Sequence, residues 1–138
     1  MNYKQIRKQW MKAETYVCKK LWQYGYRARK CRPNSSFDIL VDDEKRLEVK
    51  SSSKRDNKWF FQKIYPNNFD FLALVFYGED DKPEAIIFAS KEVMLKVENG
   101  GEINGYNLQL SLDKLQDFKG SISPLKVLGK PKKCLSNN

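Results

Sequence analysis

Residues 36–51 read as two short alternating runs joined by a charged turn. Phe37, Ile39 and Val41 fall on one face of the first run, and Leu47 and Val49 on one face of the second, the period of half-buried β-strands. The intervening Asp42-Asp43-Glu44 is long enough for a hairpin, although it lacks an Asn-Gly or Asp-Gly pair. With a three-residue loop, Val41 stands opposite Lys45 and Asp38 opposite Glu48. Asp38, Glu48 and Lys50 then share one face, because strand side chains alternate with period two. Two neighbouring carboxylates bury poorly unless a cation joins them. This face is therefore either a site for metal-assisted chemistry or an ion-pair cluster on a solvated sheet. A one-residue slip would turn Asp38 away from Glu48.

The rest of the composition narrows the chemistry. A chain of 138 residues, 41% hydrophobic and 13% aromatic, is expected to fold as one domain with its own core. It contains no histidine, which removes Ser-His and Cys-His nucleophile arrangements and the usual zinc ligand sets. Cys18, Cys31 and Cys134 are widely spaced and form no CxxC pair. Any bound metal is expected to be a hard, oxygen-liganded ion. No apolar run approaches the ~20 residues of a membrane span, and the N-terminus lacks a signal-peptide core, so the expected location is cytoplasmic, with no membrane partner.

The net charge of +9 is concentrated in residues 1–32, which hold ten Lys/Arg against the single acid Glu14. Residues 119–138 add five lysines and no acid. Basic ends around a net-acidic centre suit a polyanion, nucleic acid being the commonest; the alternative is a solvated charged surface.

Along the chain, residues 3 to about 24 predict a helix, with Ile6, Trp10, Ala13, Val17, Leu21 and Tyr24 at spacings of three and four and Gly25 as its stop. Glu14 falls on the apolar stripe, either facing inward or at the stripe's edge beside Lys12, Lys19 or Lys20. Residues 26–31 predict a short basic strand. Residues 51–58 predict a polar loop able to contact phosphates. Residues 69–77 predict a strand buried on both faces, with 85–89 as its antiparallel neighbour. Lys91–Val97 and Leu112–Phe118 predict short helices, residues 106–110 an edge strand between them, and 99–101 a loop. The expected architecture is an α/β (α+β) single domain with a central mixed sheet flanked by helices, spanning 1–120. Residues 121–138 are expected to form a basic, loosely ordered tail.

A helix carrying Glu14, then Asp38, then Glu48-Val49-Lys50 at the end of the next strand resembles the PD-(D/E)xK nuclease superfamily, which includes restriction and homing endonucleases and Holliday-junction resolvases. The resemblance spans roughly residues 10–77, and Phe37 replaces the motif's proline. It implies a restriction-endonuclease-like fold and a Mg²⁺- (or Mn²⁺-) dependent DNA endonuclease giving 5′-phosphate and 3′-hydroxyl ends. Asp38, Glu48 and the Val49 backbone carbonyl would hold the metal. Lys50 would act on the attacking water, and Glu14 on metal-bound water or a second ion. Lys8, Lys12, Arg27, Arg29, Lys30, Arg32, Ser36, Ser51, Ser52, Lys54, Arg55 and Gln62 would meet DNA. No small-molecule cofactor is expected, and cutting both strands calls for a homodimer. A restriction- or homing-type enzyme, a four-way-junction resolvase and a non-catalytic nucleic-acid-binding module are the alternatives.

Overall fold

The structure is a computed structural model describing the backbone of residues 3–78, 82–91, 100–101, 105–111 and 120–132, and their side chains from Lys12 onward. Helix α1 (Tyr3–Gln23) ends where Gly25 takes φ +95°. Strands β1 (Ala28–Lys30), β2 (Ile39–Val41) and β3 (Lys45–Ser53) follow as an antiparallel meander. The hairpin register is Val41 opposite Lys45 and Ile39 opposite Leu47, as the three-residue loop requires. Asp42 and Asp43 turn the chain with φ of 51° and 59°, a conformation that Asp adopts more readily than most residues. Tertiary bonds hold it there: buried Asp42 accepts the Arg27 N–H at Oδ1 (2.9 Å), and Arg27 reaches Asp43 (3.2 Å).

Strand β5 (Phe71–Tyr77) lies parallel to β3, with Glu48 beside Leu72 and Lys50 beside Leu74. Strand β6 (Pro83–Ser90) pairs antiparallel with β5, giving the sheet order β1-β2-β3-β5-β6. A parallel pair needs a crossover, usually helical. Here it contains β4 (Lys58–Ile64) and a 3-10 turn (Pro66–Asn68). Strand β4 belongs to a second sheet, ordered β4-β8-β7, with β7 (Gly100–Gly101) and β8 (Gly105–Ser111). The expected edge strand at 106–110 is therefore the middle strand of this sheet, and Gly100–Gly101, expected as loop, forms its short edge. The expected helices over 91–97 and 112–118 lie outside the described residues, apart from Lys91.

Each face of β5 enters a different core. Ala73, Val75 and Tyr77 pack with Ala13, Val17 and Leu21 of α1 and with Leu47 and Val49 of β3. Leu72, Leu74 and Phe76 pack with Trp59, Phe61, Ile64, Leu108 and Leu110 of the small sheet. Phe76 meets Trp59 and Phe61 edge-on, both at 5.2 Å between ring centres, contacts worth about 0.5–1.5 kcal/mol each beyond area burial. Strand neighbours in parallel register share a face, so Glu48 and Lys50 lie on the side of the sheet that β4 covers.

Two segments differ from the sequence reading. Ser51, Ser52 and Ser53 extend β3 and are not loop; the turn shrinks to Asp56-Asn57, with φ of 50° and 62°, between the mutually bonded Arg55 and Lys58. Buried Ser52 spends its hydroxyl on the Phe60 N–H (2.9 Å), which draws it inward. The segment expected to be loose is docked over residues 121–132. Ser121 bridges Phe88 of β6, and Leu128 of helix α2 (Leu125–Leu128) is buried in the α1-side core. Tyr26 Oη donates to the Gly129 carbonyl, Lys45 Nζ to the Leu128 carbonyl (2.6 Å), and the Lys132 N–H to Asp42 Oδ2 (3.0 Å). Backbone carbonyls at a helix end make good acceptors, a property that composition does not reveal.

The starts of β3 and β5 are joined by Asp70. It accepts the Arg46 N–H (2.9 Å) and guanidinium (3.0 and 3.3 Å), and its own N–H donates to the Arg46 carbonyl (2.9 Å). Hydrogen bonding by Arg46 holds the Asp70 carboxyl below its ordinary value. The group is partly exposed, so we expect Asp70→Ala to cost about 1–2 kcal/mol, discounted for screening. A depressed native pKa adds stability above the unfolded value and loses it as pH falls through the native one. Urea titrations should show the gap between wild type and variant narrowing below about pH 4.

Candidate active site

One open cavity of about 390 Å³ collects the chemistry. It is lined by Ala13 and Glu14 of α1, Asp38 ahead of β2, Glu48, Val49, Lys50 and Ser51 of β3, and Phe60, Gln62 and Lys63 of β4. Each element has a local reason to deliver its residue. Ala13 and Val17 bury α1 against the sheet, which brings Glu14 to the rim of that contact. Asp38 stands one residue before the β2 pairing begins, and its Oδ2 accepts the Val49 N–H at 2.8 Å. That bond ties the carboxylate to the strand carrying Glu48 and Lys50. The crossover lays β4 over them.

The carboxyls are close enough to perturb one another: Asp38 raises both Glu48 and Glu14 through charge and hydrogen bonding. Burial, then the Asp38 hydrogen bond and charge, push Glu48 up to about 9, against an opposing pull from Lys50. Burial and Asp38 push Glu14 up to about 7, with Lys30 opposing. The cluster therefore retains protons near neutrality that isolated carboxylates would have lost. A divalent cation could replace those protons. The donor set is all hard oxygen, which fits Mg²⁺ or Mn²⁺. Among the described residues, no group of three His, Cys, Asp or Glu is arranged around an ion position. Cys18 and Cys31 are free thiols whose values burial raises, so neither supplies a ready thiolate. Cys134 lies outside the described residues.

Other sequence candidates are dispersed. Gln62 and Ser51 line the cavity, and the Ser51 hydroxyl is buried with no hydrogen-bond partner. Lys30 exerts a charge effect on Glu14 and Cys18. Lys12, Arg32, Ser36 and Arg55 are exposed. Arg27 and Arg29 instead pair with Asp43, at the turn end of the β2–β3 hairpin, away from Asp38. Lys54 stands over the Trp59 ring, 5.6 Å from its centre. Ser52 bonds within the protein, and the Lys8 side chain lies outside the described residues. Phe60 and Lys63 line the cavity although neither was among the sequence candidates. The available signal was the broken period: buried Trp59 and Phe61 are two apart, but the next buried residue, Ile64, comes three later.

No protein-family model matches the sequence, and no curated protein does. Among solved structures, the fold is similar to that of the bacterial homing endonuclease I-Ssp6803I, at 19% identity over 71% of this chain and 72% of that one, with a TM-score of 0.52. It is also similar to the Holliday junction resolvase Hjc of Archaeoglobus fulgidus, at 12% identity over 89% of this chain and 98% of that one, with a TM-score of 0.54. This is a restriction-endonuclease-like fold. Its mixed sheet, with α1 on one face and the small sheet on the other, is the architecture that carries the cavity here. No helix among the described residues is long and apolar enough to cross a membrane.

The raised Glu48 gives a signed expectation. A carboxyl whose native pKa lies above its unfolded value stabilises the fold below the unfolded value and loses that contribution as pH rises toward the native one. Without divalent ions, stability should therefore decline between about pH 4.5 and pH 9. Glu48→Gln mimics the protonated side chain. In chelator at pH 8 it should raise the melting temperature by several degrees, an order-of-magnitude expectation for a chain of this size, with the gain vanishing near pH 4. Thermal melts across this range check the sign. A Glu48→Gln protein less stable than wild type at pH 8 would contradict it.

Proposed function

We propose that this protein is a metal-dependent DNA endonuclease of the restriction or homing type, hydrolysing phosphodiester bonds to 5′-phosphate and 3′-hydroxyl ends. The observation that carries this reading is the convergence of Glu14, Asp38, Glu48 and Lys50, from three elements, on one open cavity. The endonuclease and resolvase that share the fold support it.

Asp38, Glu48 and the Val49 carbonyl would hold Mg²⁺ or Mn²⁺, which when bound offsets charge building on the scissile phosphate and makes an attacking water more acidic. The remaining work belongs to this chain's own side chains. Lys50 donates hydrogen bonds to the phosphate and holds the attacking water in line, stabilising the pentavalent transition state. Glu14, with its value raised to about 7, is suited to take up a proton near neutral pH. Water oxygen adds to phosphorus as its proton passes to Glu14, the bond to the 3′ oxygen breaks, and the 3′ oxygen takes up a proton from solvent. Gln62 supports the substrate by its amide, and exposed Lys12, Arg32 and Arg55 meet backbone phosphates. One chain carries one such cavity among its described residues, so cutting both strands uses a homodimer.

A second reading, cleavage of four-way junctions, is favoured by the resolvase being matched over 98% of its length. Supercoiled plasmid, linear duplex and a four-way junction should be incubated with the protein and Mg²⁺ or Mn²⁺. Plasmid nicking is expected to be lost by at least about 100-fold in Lys50→Ala and Asp38→Ala, each of which removes a group acting at the reacting phosphate. Cutting confined to the junction selects the resolvase reading. Gel shifts with no cutting of any substrate under any ion would leave a non-catalytic binding module.

A further inference from the structure

Strand β4 contains a bulge at the cavity. Its register on β8 runs Phe61 opposite Leu108 and then Ile64 opposite Tyr106, so Gln62 and Lys63 together face the single residue Asn107. Lys63 takes φ +56°, which a residue bearing a Cβ rarely adopts. The bulge breaks the strand's alternation. In a regular strand only Phe60 and Gln62 would share the cavity face, and Lys63 would turn to the other side with Phe61. Here Phe60, Gln62 and Lys63 all line the cavity, while Ile64 returns fully buried to the core.

This geometry depends on a glycine across the ladder. Gly105, itself at φ +79°, passes so close that a Cβ there would lie 2.8 Å from Lys63 Cα, 3.0 Å from its carbonyl carbon and 3.1 Å from the Ile64 nitrogen. The Lys63 N–H makes a long bond to Asn107 Oδ1, 3.4 Å. None of the ion pairs among the described residues engages Lys63. Lys63 is exposed and lines the cavity, so its left-handed backbone serves no burial of its side chain, and such conformations concentrate where a side chain must be re-aimed.

We propose that the β4 bulge is a phosphate clamp. Lys63 binds a backbone phosphate of the strand lying in the cavity, next to the phosphate that Lys50 addresses, and Gly105 is the positioning residue that permits it. A lysine ammonium is a compact point charge, so the contact is blind to sequence and serves duplex and junction alike. The proposal rests on the nuclease reading and adds to it a second cation, one that holds substrate rather than acting at the reacting phosphorus.

The test uses Lys63→Gly, which keeps the left-handed backbone and removes the amine, together with Lys63→Arg and Gly105→Ala. Binding of a fluorescent duplex in Ca²⁺ is measured across a salt series, and cleavage kinetics in Mg²⁺. Lys63→Gly should weaken binding about tenfold and lower the salt slope by about one. It should raise KM while leaving kcat within about twofold, and Lys63→Arg should recover most of the loss. Its melting temperature should equal or exceed that of wild type, since glycine takes φ +56° without strain. Gly105→Ala should reproduce the KM increase with a lower melting temperature. An unchanged salt slope and KM in Lys63→Gly, or a fall in kcat at constant KM, overturns the clamp. If wild type cuts and Lys50→Ala does not, such a result leaves the nuclease reading standing. If wild type neither binds nor cuts DNA, both readings fall.

Discussion

The site depends on one hydrogen bond, the 2.8 Å contact from the Val49 N–H to Asp38 Oδ2. It spans the open end of the β2–β3 hairpin and ties a carboxylate ahead of one strand to the strand that bears Glu48 and Lys50. With it in place, the Asp38 carboxyl meets Glu48 on one side and Glu14 on the other. Burial, with the Asp38 charge beside them, accounts for the raised values of both glutamates. The arrangement is costly as protein structure, the kind of cost found where a fold gives up stability for function, and under the proposed function a cation would relieve it.

The second constraint is topological. Strands β3 and β5 are parallel neighbours, so the chain must leave the sheet and return. Making that excursion a strand places β4 over the Glu48–Lys50 face and supplies the cavity's far wall. The hydrophobic residues of β5 serve both sides of this arrangement, Leu72, Leu74 and Phe76 seating the small sheet while Ala73, Val75 and Tyr77 seat α1. Lys63 follows from the same excursion, because the bulge lies where β4 crosses the cavity. The opposite end of the sheet is braced differently. There residues 121–132 run from a bridge at β6 to the β2–β3 turn, closing over the α1-side core through Leu128 and the buried Asp42.

Much of this was legible in the residues themselves. Alternation over Phe37–Val41 and Leu47–Val49, together with the length of the Asp42–Glu44 loop, determined the hairpin register, and with it the meeting of Asp38 and Glu48. The helical spacing of Ala13, Val17 and Leu21 placed Glu14 beside the buried face. The near-continuous apolar run over 69–77 announced a strand covered on both sides, realised over Phe71–Tyr77. What escaped had physical causes. Ser51–Ser53 look like loop because serine resembles a turn former, yet Ser52 bonds the backbone of the next strand. Phe60 and Lys63 were hidden by a bulge, which removes the periodicity on which strand reading depends. Positive charge showed that cations are abundant without showing which end of a strand they occupy, so Arg27 and Arg29 could not be separated from the cations nearer the site. The docking of residues 121–132 depends on backbone carbonyls and amides, which carry no mark in composition.

The central claim is that Asp38 and Glu48 form a receptor for a divalent ion. The most direct test is diffraction from crystals of the protein soaked in Mn²⁺, with data collected near the manganese absorption edge. An anomalous peak bridging Asp38, Glu48 and the Val49 carbonyl, absent from Asp38→Ala crystals soaked in the same way, is the predicted result. A fully soaked crystal with an accessible cavity and no peak there, while manganese binds elsewhere on the molecule, would contradict it.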